Sequence, residues 1–213
     1  MHMIWTKRLV ETPEGPARLI YNRARRTSAT LVLGHGAGGG PEAWDLEVLA
    51  TAMPAYDITV IRVEQPWRLT GRRVAPSPDT LDRAWTAALN SLRTRTPLVV
   101  GGRSAGARVA CRTARRLGAL GCVALAFPLH PPGRPEKSRA DELLGAGVPT
   151  LVVQGERDAF GRPEELPDGP DVAIIPGADH EFRIARSAPI SQEDGLAVVA
   201  EAVAEWIGRT IGP

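Results

Sequence analysis

Ser104 stands between Gly102 and Gly106 in the segment 97–118, PLVVGGRSAGARVACRTARRLG, and that setting can turn an ordinary hydroxyl into a nucleophile. An apolar run, Leu98, Val99 and Val100, stops at Gly101-Gly102, and a stretch rich in helix formers follows the serine at once. This is G-x-S-x-G between a strand and a helix, the context of a nucleophile elbow. The turn is so tight that side chains flanking the serine would clash, so glycine is needed on both sides. The Oγ is then held clear of the sheet above the free N–H groups of a helix N-terminus. The alternative for Ser104 is a plain helix cap.

A serine hydroxyl needs a base, an acid to orient that base, and donors for the developing oxyanion. In an open α/β sheet these groups belong in the loops after the carboxyl ends of strands. After the apolar run 150–153 comes Gln154-Gly155-Glu156-Arg157-Asp158, and after 172–175 comes Pro176-Gly177-Ala178-Asp179-His180. The chain order that accompanies such an elbow is Ser, then Asp or Glu, then His. Of the four histidines only His180 lies beyond Asp158. Ser104, Asp158 and His180 are therefore the expected triad, with Glu156 or Asp179 as possible substitutes for the acid, and Asp158 alone explicable as a turn residue. His130, after another strand, either lines the pocket or packs; His2 is expected to be disordered.

The remaining glycine-rich segment is Gly34-His35-Gly36-Ala37-Gly38-Gly39-Gly40, directly after the strand 30–33. Gly34, Gly36 and Gly39 satisfy G-x-G-x-x-G, so a dinucleotide site competes for it. That fingerprint expects an acidic residue about 20 positions on, whereas Glu64 lies 30 positions after Gly34. A nucleotide site would also leave Ser104, Asp158 and His180 without a role. As an oxyanion turn, the segment lets backbone N–H groups approach the alkoxide. The expected donors are Ala105 with Gly36 or Ala37, and His35 is expected to anchor the loop.

The elements that must position these groups alternate in type. Buried strands are expected at 30–33 and 58–63, and further strands at 98–100, 123–127, 150–153 and 172–175. Helices are expected at 41–53 with Pro41 in the first turn, from an Asp79 cap to about Leu92, after Ser104, at 138–144, and at 192–207. Residues 66–78 read as a loop and 18–21 as an antiparallel edge strand. Such alternation predicts a doubly wound, mostly parallel sheet with helices on both faces, and 1–213 as one domain.

Composition excludes several classes. The 213 residues have a formal charge of +2 and 23% charged residues, too balanced to argue for nucleic acid or a membrane surface. No run is long enough for a membrane span, and MHMIWTKRLVETPEGP lacks the apolar core of a signal peptide. With two cysteines, Cys111 and Cys122, a cytoplasmic setting with reduced packing thiols is expected. There is no zinc-ligand spacing, and no metal or cofactor is expected.

With these residues assembled, the chain resembles a small α/β-hydrolase. More narrowly it is similar to bacterial dienelactone-hydrolase-like proteins related to the hydrolase-like domains of testis-expressed and NSL-complex subunit proteins. The resemblance rests on GHGAGGG (34–40), GGRSAGARVA (101–110), FPLHPPGRPEK (127–137), VQGERDAFG (153–161) and GADHEFR (177–183). It implies Ser104 as nucleophile, Asp158 as acid and His180 as base; because some eukaryotic relatives are complex subunits, a non-catalytic interaction module is the alternative. Only 20 residues separate Leu129 from Thr150, too few for a large helical cap. An open site for a small ester or acyl substrate is expected, with the oligomeric state open. Arg103, Arg72, Arg73 and Arg108 could hold a substrate anion or form salt bridges, the role favoured here.

Overall fold

The computed structural model describes residues 5–212. The strands are β1 (Trp5–Val10), β2 (Ala17–Asn22), β3 (Ala29–Gly34), β4 (Ile58–Glu64), β5 (Leu98–Arg103), β6 (Gly121–Leu125), β7 (Thr150–Gly155) and β8 (Asp171–Ile175). The α-helices are α1 (Trp44–Ala52), α2 (Pro66–Leu69), α3 (Pro78–Asn90), α4 (Ala105–Thr113), α5 (Ala140–Leu144) and α6 (Gln192–Ile211). The strands form one sheet in the order β1-β2-β4-β3-β5-β6-β7-β8. The β1–β2 and β2–β4 pairs are antiparallel and the other five are parallel.

Residues of adjacent parity in a strand face opposite sides of the sheet, and in β3 both sides are covered. Leu31 and Leu33 pack with Leu46 and Leu49 of α1 and Val199, Val203 and Trp206 of α6. Val32 packs with Leu81 and Trp85 of α3 and Val109 of α4 on the other face. This two-sided burial explains why the central strands read as continuous apolar runs. Every parallel strand also ends at the same edge, so the loops after β3, β5, β7 and β8 gather there.

Several boundaries differ from the sequence expectation. The 18–21 segment lies within β2, which is not the edge; β1 covers it, and residues 6–9 of β1 are exposed, so no buried alternation announced that strand. The helix expected at 41–53 begins at Trp44, because residues 40–43 form a turn closed by the Ala43 N–H on the Gly40 carbonyl (3.1 Å). A 3₁₀ turn at Met53–Tyr56 takes over where Pro54 lacks a donor, ending at Asp57 with φ 59°. The 66–78 loop opens with the short α2, whose Pro66 suits a first helical position. Ser77, not Asp79, precedes α3; Asp79 sits in its first turn, where a negative charge suits the helix dipole, and Leu92 falls beyond its end. β6 stops at Leu125 because Ala126 turns to φ 45°. α5 starts at Ala140 rather than 138, and α6 runs four residues past 207.

Cys111 and Cys122 are free and buried, their sulfurs 3.8 Å apart between α4 and β6. Among the described residues no helix is long and apolar enough to cross a membrane. Ser191 caps α6: its Oγ accepts the Asp194 N–H (3.1 Å), while Asp194 accepts the Ser191 N–H (3.2 Å). Ser191→Ala is expected to lower stability by about 1 kcal/mol in urea unfolding.

Candidate active site

The serine sits where β5 turns into α4, with φ 52° and ψ −112°. For a residue with a Cβ this backbone costs on the order of 1–3 kcal/mol, and the surroundings hold it there. The Ser104 N–H donates to the Leu125 carbonyl of β6 (2.9 Å), and its own carbonyl accepts the Arg108 N–H (3.1 Å). The flanking glycines pack on backbone: a Cβ on Gly102 would lie 2.6 Å from the Gly34 oxygen and 2.7 Å from the Gly106 carbonyl carbon. The elbow and the end of β3 therefore meet backbone to backbone.

His180 arrives from the loop after β8. Asp179 Oδ1 accepts the N–H groups of Glu181 (2.8 Å) and Arg183 (2.9 Å), closing the turn that presents the imidazole. His180 Nε2 lies 3.0 Å from Ser104 Oγ. His180 Nδ1 lies 2.8 and 3.0 Å from the two oxygens of Asp158. A carboxylate at Nδ1 requires the proton there, which leaves the Nε2 lone pair facing the serine hydroxyl. Asp158 is wholly buried and also accepts the Phe160 N–H (2.8 Å) and the Gln154 side-chain amide (3.0 Å).

The two substitute acids are engaged elsewhere. Asp179 holds its own turn, and Glu156 accepts the Gly177 N–H (2.6 Å). Two residues that sequence reasoning missed complete this part of the site. Gln154, fully buried, ties Asp158 to the Phe127 backbone and to the Gly161 carbonyl (2.7 Å). The Phe160 ring stacks on His180 with centroids 4.1 Å apart. Neither carries a local signal: a glutamine ending a strand and an aromatic in a loop are ordinary in isolation.

The glycine loop after β3 borders the serine. A Cβ on Gly36 would lie 3.6 Å from Ser104 Cβ, and Ala37 and Ala105 line one small recess beside it. Ala105 is the first residue of α4, so its N–H precedes the helix's own ladder. His35 anchors this loop, as expected. The Gln65 N–H donates to His35 Nε2 (3.2 Å), and His35 Nδ1 donates to the Gly36 carbonyl (2.9 Å). Burial pushes the His35 pKa below the ordinary imidazole value, consistent with this neutral form. The loop does not open a helix directly, since α1 begins only at Trp44, and Glu64 pairs with Arg18 (2.8 Å). The dinucleotide alternative thus lacks both of its structural marks.

The other candidates fall outside the Ser104–His180–Asp158 line. His130 Nδ1 faces the Pro131 carbonyl (3.0 Å) and Nε2 faces Glu165 (3.1 Å), contacts that raise its pKa. Its N–H holds the Phe160 carbonyl (2.9 Å), so it braces the Asp158 loop. Arg108 pairs with Glu142 (2.9 Å from Nε), a salt bridge as favoured above. Arg72 is exposed in a hollow with Glu14, Pro66 and Thr80 that contains none of the three residues, and Arg73 is exposed. Arg103 is buried against Asp45. His2 lies outside the described residues. Among the described residues no group of three or more His, Cys, Asp and Glu could hold a metal ion.

A family model described as an alpha/beta hydrolase domain matches residues 27–208. No curated protein matches the chain. Among solved structures, an α/β serine hydrolase without lid from Xanthomonas campestris is 20% identical, with a TM-score of 0.73 over 97% of this chain and 96% of that one. Est1E from Butyrivibrio proteoclasticus, with ferulic acid bound, is 14% identical, with a TM-score of 0.76 over 97% and 100%. A dienelactone hydrolase from Anabaena variabilis is 17% identical, with a TM-score of 0.73 over 99% of each chain. At these identities the likeness is one of fold.

Proposed function

The chain belongs to the alpha/beta hydrolase domain family, with the fold of that family, and from there we propose that it is a serine hydrolase of carboxylic esters or thioesters. The observation that supports this most is the unbroken hydrogen-bonded line from Ser104 Oγ through His180 to the buried Asp158. His180 Nε2 takes the hydroxyl proton as Oγ attacks the carbonyl carbon. The N–H groups of Ala105 and of Gly36 or Ala37 receive the oxyanion. His180 then hands the proton to the leaving alcohol or thiol, and water, activated by the same nitrogen, releases the acid and restores Ser104. Asp158 holds the ring and stabilises its charged form.

The substrate is proposed to be small, or an acyl group presented on a larger partner. The segment between Leu129 and Thr150 contains only the 3₁₀ turn Pro135–Lys137 and α5, so no helical cap is built there. The dienelactone-hydrolase-like and NSL-related affinity and the cytoplasmic setting belong to the same proposal.

The test is a fluorophosphonate probe with adduct mapping by mass spectrometry, beside short-chain ester and thioester hydrolysis. Labelling confined to Ser104 is expected. Asp158→Asn is expected to lower kcat by about 10⁴-fold, because His180 then loses the acceptor that sets its tautomer. A folded protein that neither labels nor turns over would point instead to an interaction module.

A further inference from the structure

The structure assigns to Arg103 and Asp45 a positioning role: this buried pair holds the His180 loop in register with Ser104, a role that rests on the hydrolase function proposed above. Arg103 is the last residue of β5, next to the nucleophile. Strand alternation sends its side chain to the same face as Val99, the face covered by α1. There its Nε lies 3.3 Å from Asp45 Oδ2 in the first turn of α1, and its Nη2 donates to the His180 carbonyl (3.0 Å). Its Nη1 borders Gly36, lying 3.5 Å from where a Cβ on that residue would be. One guanidinium thus touches the oxyanion loop and the base loop from the nucleophile's own strand.

Asp45 is wholly buried, and neither carboxylate oxygen has a well-formed hydrogen bond. Its charge is answered chiefly by Arg103, with lesser contributions from the first-turn backbone and from His180. Burial, opposed by these groups, pushes its pKa up to about 6. A folded-state pKa above the ordinary carboxylate value means that the fold favours the protonated acid. That contribution to stability is complete below about pH 4 and is lost as the pH rises through about 6. An apolar pair would fill this space at less cost, so packing alone does not account for the charges. What they supply is a rigid, forked donor aimed at the carbonyl of the base residue. The groups facing the Arg103 guanidinium are Asp45 from α1 and His180 from the loop after β8; Glu181 and Arg183 line the adjoining hollow with Trp44, and Asp158 faces His180 from the far side.

The experiment compares wild type, Asp45→Asn and Arg103→Met by ester kinetics and thermal unfolding, and by NMR titration of the His180 ring C–H signals. Asp45→Asn is expected to melt no lower than wild type at pH 8 and to lose at least 10-fold in kcat with KM within about twofold. Its His180 titration midpoint should fall by about 0.5 pH unit or more, because Arg103 is left unbalanced. Arg103→Met should shift the midpoint upward and lower kcat by about 100-fold. Unchanged midpoints and kcat in both variants would overturn the assignment, as would an Asp45→Asn protein that fails to fold. The NMR arm needs no turnover, so a wild type without esterase activity would defeat the hydrolase proposal while still showing whether Arg103 and Asp45 govern His180.

Discussion

Ser104→Ala is expected to abolish fluorophosphonate labelling and to lower ester turnover by about 10⁶-fold, to the level that binding and the oxyanion donors supply alone. Its stability should stay close to wild type, because the substitution removes one hydroxyl and leaves the strained backbone in place. Ser104→Gly should be as inactive but more stable than the alanine variant by about 1 kcal/mol. At φ 52° and ψ −112° a Cβ is strained, and glycine relieves this at the price of a more flexible unfolded chain. Kinetics and urea unfolding on the same three proteins separate the two effects. Turnover by Ser104→Ala above one hundredth of the wild-type rate (about 10⁻²) would remove Ser104 from the role of nucleophile. An alanine variant as stable as the glycine variant would show that the elbow stores no strain.

Gly102→Ala is expected to destabilise the protein by about 3 kcal/mol or more, enough to unfold many domains of this size at working temperature. The new methyl would fall 2.6 Å from the Gly34 oxygen and 2.7 Å from the Gly106 carbonyl carbon. Both are backbone atoms, one ending β3 and the other in the first turn of α4, so neither can swing aside as a flexible side chain would. Relief requires parting the elbow helix from the central strands, which would also displace Ser104. Gly38→Ala provides the contrast: nothing lies within 4 Å of its Cβ position, and a change within about 0.5 kcal/mol is expected. Differential scanning calorimetry on the pair decides the point. Equal melting temperatures for Gly102→Ala and wild type would mean that the elbow does not pack against β3 as described.

The sequence by itself carried the alternation of buried strands and helices, the G-x-S-x-G turn, and the order of Ser104, Asp158 and His180. These are legible because strand and helix periods, tight-turn glycines and loop positions are encoded within a few neighbouring residues. Local ends were less legible: Pro41 stands before α1 rather than in it, and the exposed β1 escaped notice. Tertiary structure decided which acid reaches His180. Glu156, Asp158 and Asp179 are all acids near the same edge, and only the fold shows Asp158 against the imidazole and the other two on backbone amides. It also set Arg103 against Asp45 and the His180 carbonyl, and brought Gln154 and Phe160 around the triad. The physical reason is chain separation. Ser104 and His180 are 76 residues apart, and Arg103 and the His180 carbonyl 77. Whether such groups meet depends on the order and register of parallel strands, which no short window of sequence contains.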